Sequence, residues 1–300
     1  MNEYFDSGRD FWNNAPLEIN DNIIPNNAIK SNSFKGRLVS RDDDSDKSII
    51  ERMKKTRTMK ADENLKFDWL IPECIIRGTM GMIYAPPGSG KSFASFYLCL
   101  YLLLNKKIKH VVYIDADNSI KTYTKRKIGV TIRKYRRENT FEYWHTGTKK
   151  FQEEFSNGMD FIDHILKSGK EFDRRYRDTV LIVDSFRNFI GAGDMLRDQD
   201  VIPILNKFQK LRDEKDMTII YLHHSNKADD EDYKGASSFR DSPDFVYFLR
   251  SNNIKDVSLS FVFKNKKKRD AVESFQLDVD LTTKKPEIII TQLGEIQDEE

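Results

Sequence analysis

From Phe67 onward the apolar residues fall into short continuous runs, separated by stretches whose apolar positions recur every three or four residues. Met80–Tyr84 is one such run and leads into a glycine-rich turn; His110–Asp115, Thr179–Asp184 and Thr218–His223 are three more. Runs this short that are apolar on both faces suit strands buried on both sides. Phe93–Leu104 reads as a helix. So does the segment holding Val201, Ile204, Leu205, Phe208 and Leu211, where the spacing of three and four places one apolar stripe on one face. Strands alternating with helices predict a parallel sheet covered on both faces. After Asp244 the texture changes to alternation with no helix between: Phe245–Leu249, Val257–Phe263, Val272–Val279 and Glu287–Thr291. These four predict an antiparallel extension of the same sheet.

Residues 1–64 differ from this pattern. They are rich in Asn, Asp and Ser, and Asp42-Asp43-Asp44-Ser45-Asp46 is followed closely by Arg52, Lys54, Lys55, Arg57 and Lys60. A segment of that kind buries too little apolar surface to offset the entropy of ordering it. It is expected to be a flexible N-terminal arm, with Phe5, Phe11, Trp12, Ile23 and Ile24 as docking points, ahead of one α/β domain at 65–300. Over the 300 residues the net charge is +2, so bulk charge does not argue for nucleic acid, and only local clusters could. Two cysteines, Cys74 and Cys99, make no disulfide framework. The longest apolar stretch, Phe96–Leu104, is too short to span a bilayer. The expected setting is therefore the cytoplasm, without a membrane.

The chemistry is announced by Ala85-Pro86-Pro87-Gly88-Ser89-Gly90-Lys91-Ser92, which follows a strand and precedes a helix beginning near Phe93. That order is the phosphate loop of nucleotide-binding ATPases. Gly88 and Gly90 let backbone N–H groups turn inward around a phosphate, and the helix N-terminus adds its partial positive charge. Lys91 is placed to reach the β- and γ-phosphates of ATP. The Ser92 hydroxyl is an oxygen ligand for Mg²⁺. Ala85 stands where the usual pattern has its first glycine.

Two carboxylates complete such a site. Asp184 ends an apolar strand, where the carboxylate that holds the Mg²⁺ water shell belongs. Asp117 lies just past the strand that ends at Asp115, at the sheet edge where ligands of open α/β folds sit. It is the expected base for the attacking water, with Asp115 as the alternative. His223 and His224 end the fourth run, and His224 is placed to touch the γ-phosphate and the loop that follows, reporting nucleotide state.

These motifs, in this order, resemble those of the RecA-like ATPases, and within them the RepA-type hexameric replicative helicase group. The resemblance runs over residues 66–292 and rests on Asp68-Trp69-Leu70-Ile71-Pro72, the phosphate loop, Tyr113–Ser119, Leu181–Ser185, His223-His224-Ser225-Asn226-Lys227 and Gly235-Ala236-Ser237-Ser238. It implies a RecA core and a homo-oligomer, a ring (expected hexamer) or a filament, with ATP between neighbouring subunits. It also implies a finger residue given in trans. Phe263-Lys264-Asn265-Lys266 resembles the segment that carries the finger, with Lys266 in the arginine place, Lys264 beside it and Arg240 as a third candidate. Loops 185–200 and 225–242 would face the channel, with Arg187, Arg197, Lys227 and Arg240 on single-stranded DNA. Asp229, Asp230, Glu231 and Asp232 in the second loop would repel phosphate.

The resulting function is an ATP-hydrolysing motor on single-stranded DNA, a replicative helicase of a phage, plasmid or similar element, whose arm could meet other replication proteins. A filament-forming recombination or annealing ATPase is one alternative. A nucleotide-gated loader or regulator that unwinds nothing is the other.

Overall fold

The computed structural model describes residues 66–135, 140–168, 176–226, 231–252, 257–267, 272–282 and 286–294. The arm expected at 1–64 lies outside them.

A short antiparallel ribbon, β1 (Trp69–Ile71) and β2 (Ile75–Ile76), precedes the main sheet. Then come β3 (Met80–Ala85), α1 (Lys91–Leu104), β4 (His110–Asp115), α2 (Ile120–Lys125), α3 (Ile128–Tyr135), β5 (Thr140–His145), α4 (Lys149–Glu154) and α5 (Gly158–Lys167). The chain continues through β6 (Thr179–Asp184), α6 (Asp198–Lys215), β7 (Thr218–His224) and the short α7 (Ser238–Asp241). It closes with β8 (Phe245–Asn252), β9 (Ser258–Asn265), β10 (Ser274–Asp280) and β11 (Glu287–Gly294).

Nine strands form one sheet in the order β11-β10-β9-β8-β3-β7-β6-β4-β5. β5, β4, β6, β7, β3 and β8 run parallel, and β9, β10 and β11 continue antiparallel. The mixed α/β fold expected from the periodicity is present. The boundary differs by one strand, because β8 pairs parallel to β3 and only its other edge is antiparallel. The loop through α7 carries the chain back before β8 starts, so β8 enters in the same sense as β3. β5 joins the sheet as an edge strand that the apolar pattern did not disclose, because Thr140, Glu142 and His145 interrupt the run.

All residues of β3 and β6 are buried, as strands between two helical layers require. α1 packs on one face and α6 on the other. Burial on nearly all sides explains why α1 is apolar almost throughout, with Leu98, Cys99, Leu100 and Leu102 at 0–1% exposure. Gly81 has no substitute in β3: a Cβ there would lie 1.9 Å from the Phe245 ring. Among the described residues no helix is long and apolar enough to cross a membrane.

Candidate nucleotide site

Strand register assembles the site. β4 beside β6 sets Asp115 next to Asp184, and β3 beside β7 sets Ala85 next to His224. All four residues sit at the carboxyl edge of the parallel strands, where the phosphate loop also lies.

The loop leaves β3 at Ala85 and turns through Gly88 and Gly90, whose φ angles of 83° and 84° are left-handed and suit glycine. Gly90 caps α1, and its carbonyl accepts from the amides of Phe93 at 2.9 Å and Ala94 at 2.8 Å. Lys91 is buried, and its ammonium donates to the carbonyls of Ala85 at 2.9 Å and Pro86 at 3.1 Å. Burial lowers its pKa to about 8, against the opposing pull of Asp184 and Asp117. A cavity of about 550 Å³ opens here, lined by the loop together with Phe93, Thr122, Lys125, Arg126 and His224. The Arg126 guanidinium lies 5.7 Å from the centre of the Phe93 ring.

The two strand-end carboxylates are both buried, and each has its own tyrosine. The Tyr113 hydroxyl donates to Asp184 at 2.8 Å, and the Tyr143 hydroxyl donates to Asp115 at 2.5 Å. Burial, reinforced by Asp115, raises the Asp184 pKa to about 7, and hydrogen bonds from Ser92 and Tyr113 oppose that rise. The other Asp115 oxygen accepts the amides of Asp117 at 3.1 Å and Asn118 at 2.9 Å, so Asp115 holds the loop that follows its own strand. Asp117 is exposed, with one oxygen 3.4 Å from the Asn188 amide and the other 3.9 Å from His224 Nε2.

Asn118 joins these parts. Its side-chain amide lies 3.1 Å from Ser92 Oγ, 3.1 Å from Asp115 and 3.3 Å from Asp184. Its carbonyl accepts from His145 Nε2 at 2.7 Å, and His145 Nδ1 accepts from the Gly147 amide, which places the ring proton on Nε2. A hydroxyl beside a buried carboxylate, with two further carboxylates near, is an oxygen-donor set suited to Mg²⁺. Ser92 and Asp184 are the residues that would hold it, and the ion would bring positive charge to a triple acidic neighbourhood.

The two histidines diverge. His223 is fully buried, stacks on Phe239 at 4.2 Å and bonds the Lys234 carbonyl through Nε2; burial lowers its pKa to about 4. His224 turns to the site, with Nδ1 3.5 Å from the Lys91 ammonium, and its pKa is lowered by burial and by Lys91.

The lysines expected to supply a finger in trans lie at the end of β9, Lys264 on the strand and Lys266 directly after it. Lys264 and Lys266 both approach Glu231, at 3.7 and 2.8 Å, and Arg250 pairs with the same carboxylate. The acidic run is therefore partly matched inside the chain, since Asp232 also pairs with Arg240 at 3.2 Å. Lys267 points away from this cluster, with its ammonium on the carbonyls of Asp241 and Pro243. Of the expected DNA contacts, Arg187 is exposed on the turn after β6, Arg197 lies 3.8 Å from Asp194, and Arg240 lies over the Tyr233 ring. Lys227, Asp229 and Asp230 fall outside the described residues. Tyr143 and His145 were not singled out in the sequence, and Tyr113 and Asn118 entered only within a motif, with no role of their own. The signal for the tyrosines was there, because a tyrosine in a buried strand needs a partner for its hydroxyl.

A parallel sheet with this strand order, a glycine-turned phosphate loop and a strand-end carboxylate beside it define a RecA-like P-loop ATPase. The chain belongs to the AAA domain family, whose model matches residues 51–230. No curated protein matches it. Among solved structures it is similar to a KaiC-like protein from Pyrococcus horikoshii, at 13% identity and a TM-score of 0.47, over 72% of this chain and 91% of that one. It is also similar to the flagellar accessory protein FlaH from Methanocaldococcus jannaschii, at 17% identity and a TM-score of 0.45, over 72% and 90%. An isolated ATPase domain aligns at 14% identity and a TM-score of 0.48, over 79% and 95%.

Proposed function

We propose that the chain hydrolyses MgATP and couples turnover to movement on single-stranded DNA, as a ring-forming replicative helicase of a phage, plasmid or similar element. The observation that carries this reading is the bridge made by His224. One ring nitrogen lies 3.5 Å from Lys91 and the other 3.9 Å from Asp117. One side chain thus touches the phosphate-binding cation and the candidate base, and its strand runs directly into loop 225–242.

In this reading Lys91 exchanges the carbonyls of Ala85 and Pro86 for the β- and γ-phosphates. Asp117 orients the attacking water and takes its proton. The engagement of Asp115 with Tyr143 and two backbone amides supports Asp117 in that role, because Asp117 is the one of the pair that faces solvent. Bound Mg²⁺ would neutralise charge on the phosphates, held through Ser92 and Asp184. Lys264 and Lys266, already gathered with Arg250 around one carboxylate, are proposed to supply the cation to a neighbouring subunit's γ-phosphate.

The test measures ATP turnover with and without single-stranded DNA, and strand displacement on a forked duplex, with Lys91→Ala as the inactive control. Turnover stimulated by DNA together with displacement supports the helicase. Turnover indifferent to DNA would transfer the chain to the loader or regulator class. Stimulation without displacement, with filaments under the microscope, would favour the recombination class.

A further inference from the structure

The α2–α3 segment is strongly basic, and the nucleotide site uses only Lys125 and Arg126 of its basic residues. Between Asn118 and Arg137 the chain carries eight Lys and Arg residues and no carboxylate. β5 beside it is the outermost strand of its end of the sheet, and a cavity of about 760 Å³ wraps that edge. Tyr123, Tyr143, Trp144 and Phe151 line its apolar part, and the exposed Arg133 and Lys150 stand at its rim. Lys150 lies 5.8 Å over the Trp144 ring, and Tyr123 and Tyr143 lie 4.9 Å apart. Glu142 is the one carboxylate among the lining residues, and it accepts from the Trp144 indole at 3.3 Å.

We propose that this cavity binds a nucleotide unit, its base on the half-buried Trp144 ring and its phosphate on Lys150 and Arg133. An indole face offers stacking, worth about 1–3 kcal/mol per base, and is indifferent to base identity. The rim cations match a phosphate. An acidic peptide would satisfy the rim and leave the rings unused, whereas an apolar one would strip water from two cations without replacing it. The unit has two sources, a free mononucleotide or one residue of a single strand; only the second rests on the helicase reading.

Occupancy would be felt at the ATPase site. α2 separates the two cavities, with Tyr123 on this side and Thr122, Lys125 and Arg126 on the other. Two lining residues reach through: Tyr143 donates to Asp115, and His145 donates to Asn118, which touches Ser92 and Asp184. A ligand that moves β5 therefore moves the groups that order the Mg²⁺ and water side of the site.

The test uses the full chain with Trp12→Phe and Trp69→Phe, which leaves Trp144 as its one tryptophan. A non-hydrolysable ATP analogue with Mg²⁺ first saturates the phosphate loop. Trp144 fluorescence is then followed during titration with an oligothymidylate of about 20 nucleotides, long enough for one site, and separately with thymidine monophosphate. Saturable quenching is expected, weakened about tenfold or more by Arg133→Glu/Lys150→Glu. Quenching by the oligonucleotide alone identifies a strand as the source. Quenching by the mononucleotide alone upholds the cavity and removes the strand. Strand binding seen by anisotropy without Trp144 quenching overturns the proposal and leaves the helicase reading intact. Quenching that ignores the charge reversal, or that polyglutamate reproduces, also overturns it.

Discussion

Tyr113 and Tyr143 stack with ring centres 4.8 Å apart and planes 10° from parallel, and each donates its hydroxyl to a different carboxylate, Asp184 and Asp115. The stack ties an edge strand to the carboxylate expected to hold Mg²⁺. Tyr143→Phe keeps the ring and deletes one donor. The orphaned Asp115 oxygen should cost about 1–3 kcal/mol in urea unfolding, and loosening of the Asp117 loop should lower turnover about tenfold. Wild-type turnover in this variant would show that the stack is structural only.

Asp115 and Asp117 should separate by kind of effect. Asp117→Asn is expected to lower turnover by about 100-fold or more with nucleotide affinity nearly unchanged, since a base acts in the transition state. Asp115→Asn is expected chiefly to destabilise, because it weakens bonds to Tyr143 and two loop amides. Paired measurements of turnover and melting decide the matter, and a reversed pattern would transfer the base role to Asp115.

His223 should make stability depend on pH. Burial holds its pKa near 4, against an ordinary value of 6.5. Between those values the unfolded chain takes up a proton that the folded one refuses. The stability present at neutral pH is therefore lost as pH falls from about 6.5 to 4, by about 3 kcal/mol in total. His223→Gln keeps a donor for the Lys234 carbonyl and should flatten this part of the urea-unfolding profile. An unchanged slope would assign the effect to other groups.

Lys264→Ala/Lys266→Ala is expected to lower turnover about tenfold or more, although its own phosphate loop is intact. Mixing it with Lys91→Ala chains should restore part of the rate, because a mixed interface joins an intact loop to intact lysines. Both lysines also neutralise Glu231, so melting is measured alongside. Mixed assemblies confirmed by mass but without activity would remove the trans role, and a full rate in the double variant would leave Arg240 as the candidate.

Much of the fold was legible because its signals are local. An apolar run bounded by polar residues marks a buried strand wherever it lies, and β3, β4, β6 and β7 were each visible in this way. The phosphate loop was legible for the same reason: two glycines, a lysine and a serine act through neighbouring backbone. β5 was not, because an edge strand needs only partial burial and Thr140, Glu142 and His145 carry no continuous apolar signal.

Chain order placed Asp115, Asp117, Asp184 and His224 at strand ends, and so at one edge of the sheet. Tertiary structure decided which of them is engaged and which faces solvent. Asp115 meets Tyr143 twenty-eight residues away, Asn118 meets Asp184 sixty-six away, and Glu231 gathers Lys264 from β9 and Lys266 from just after it. Periodicity says which face of a strand is buried. It does not say which strand lies beside it or in what register, and a hydrogen-bond partner is known only when both are set.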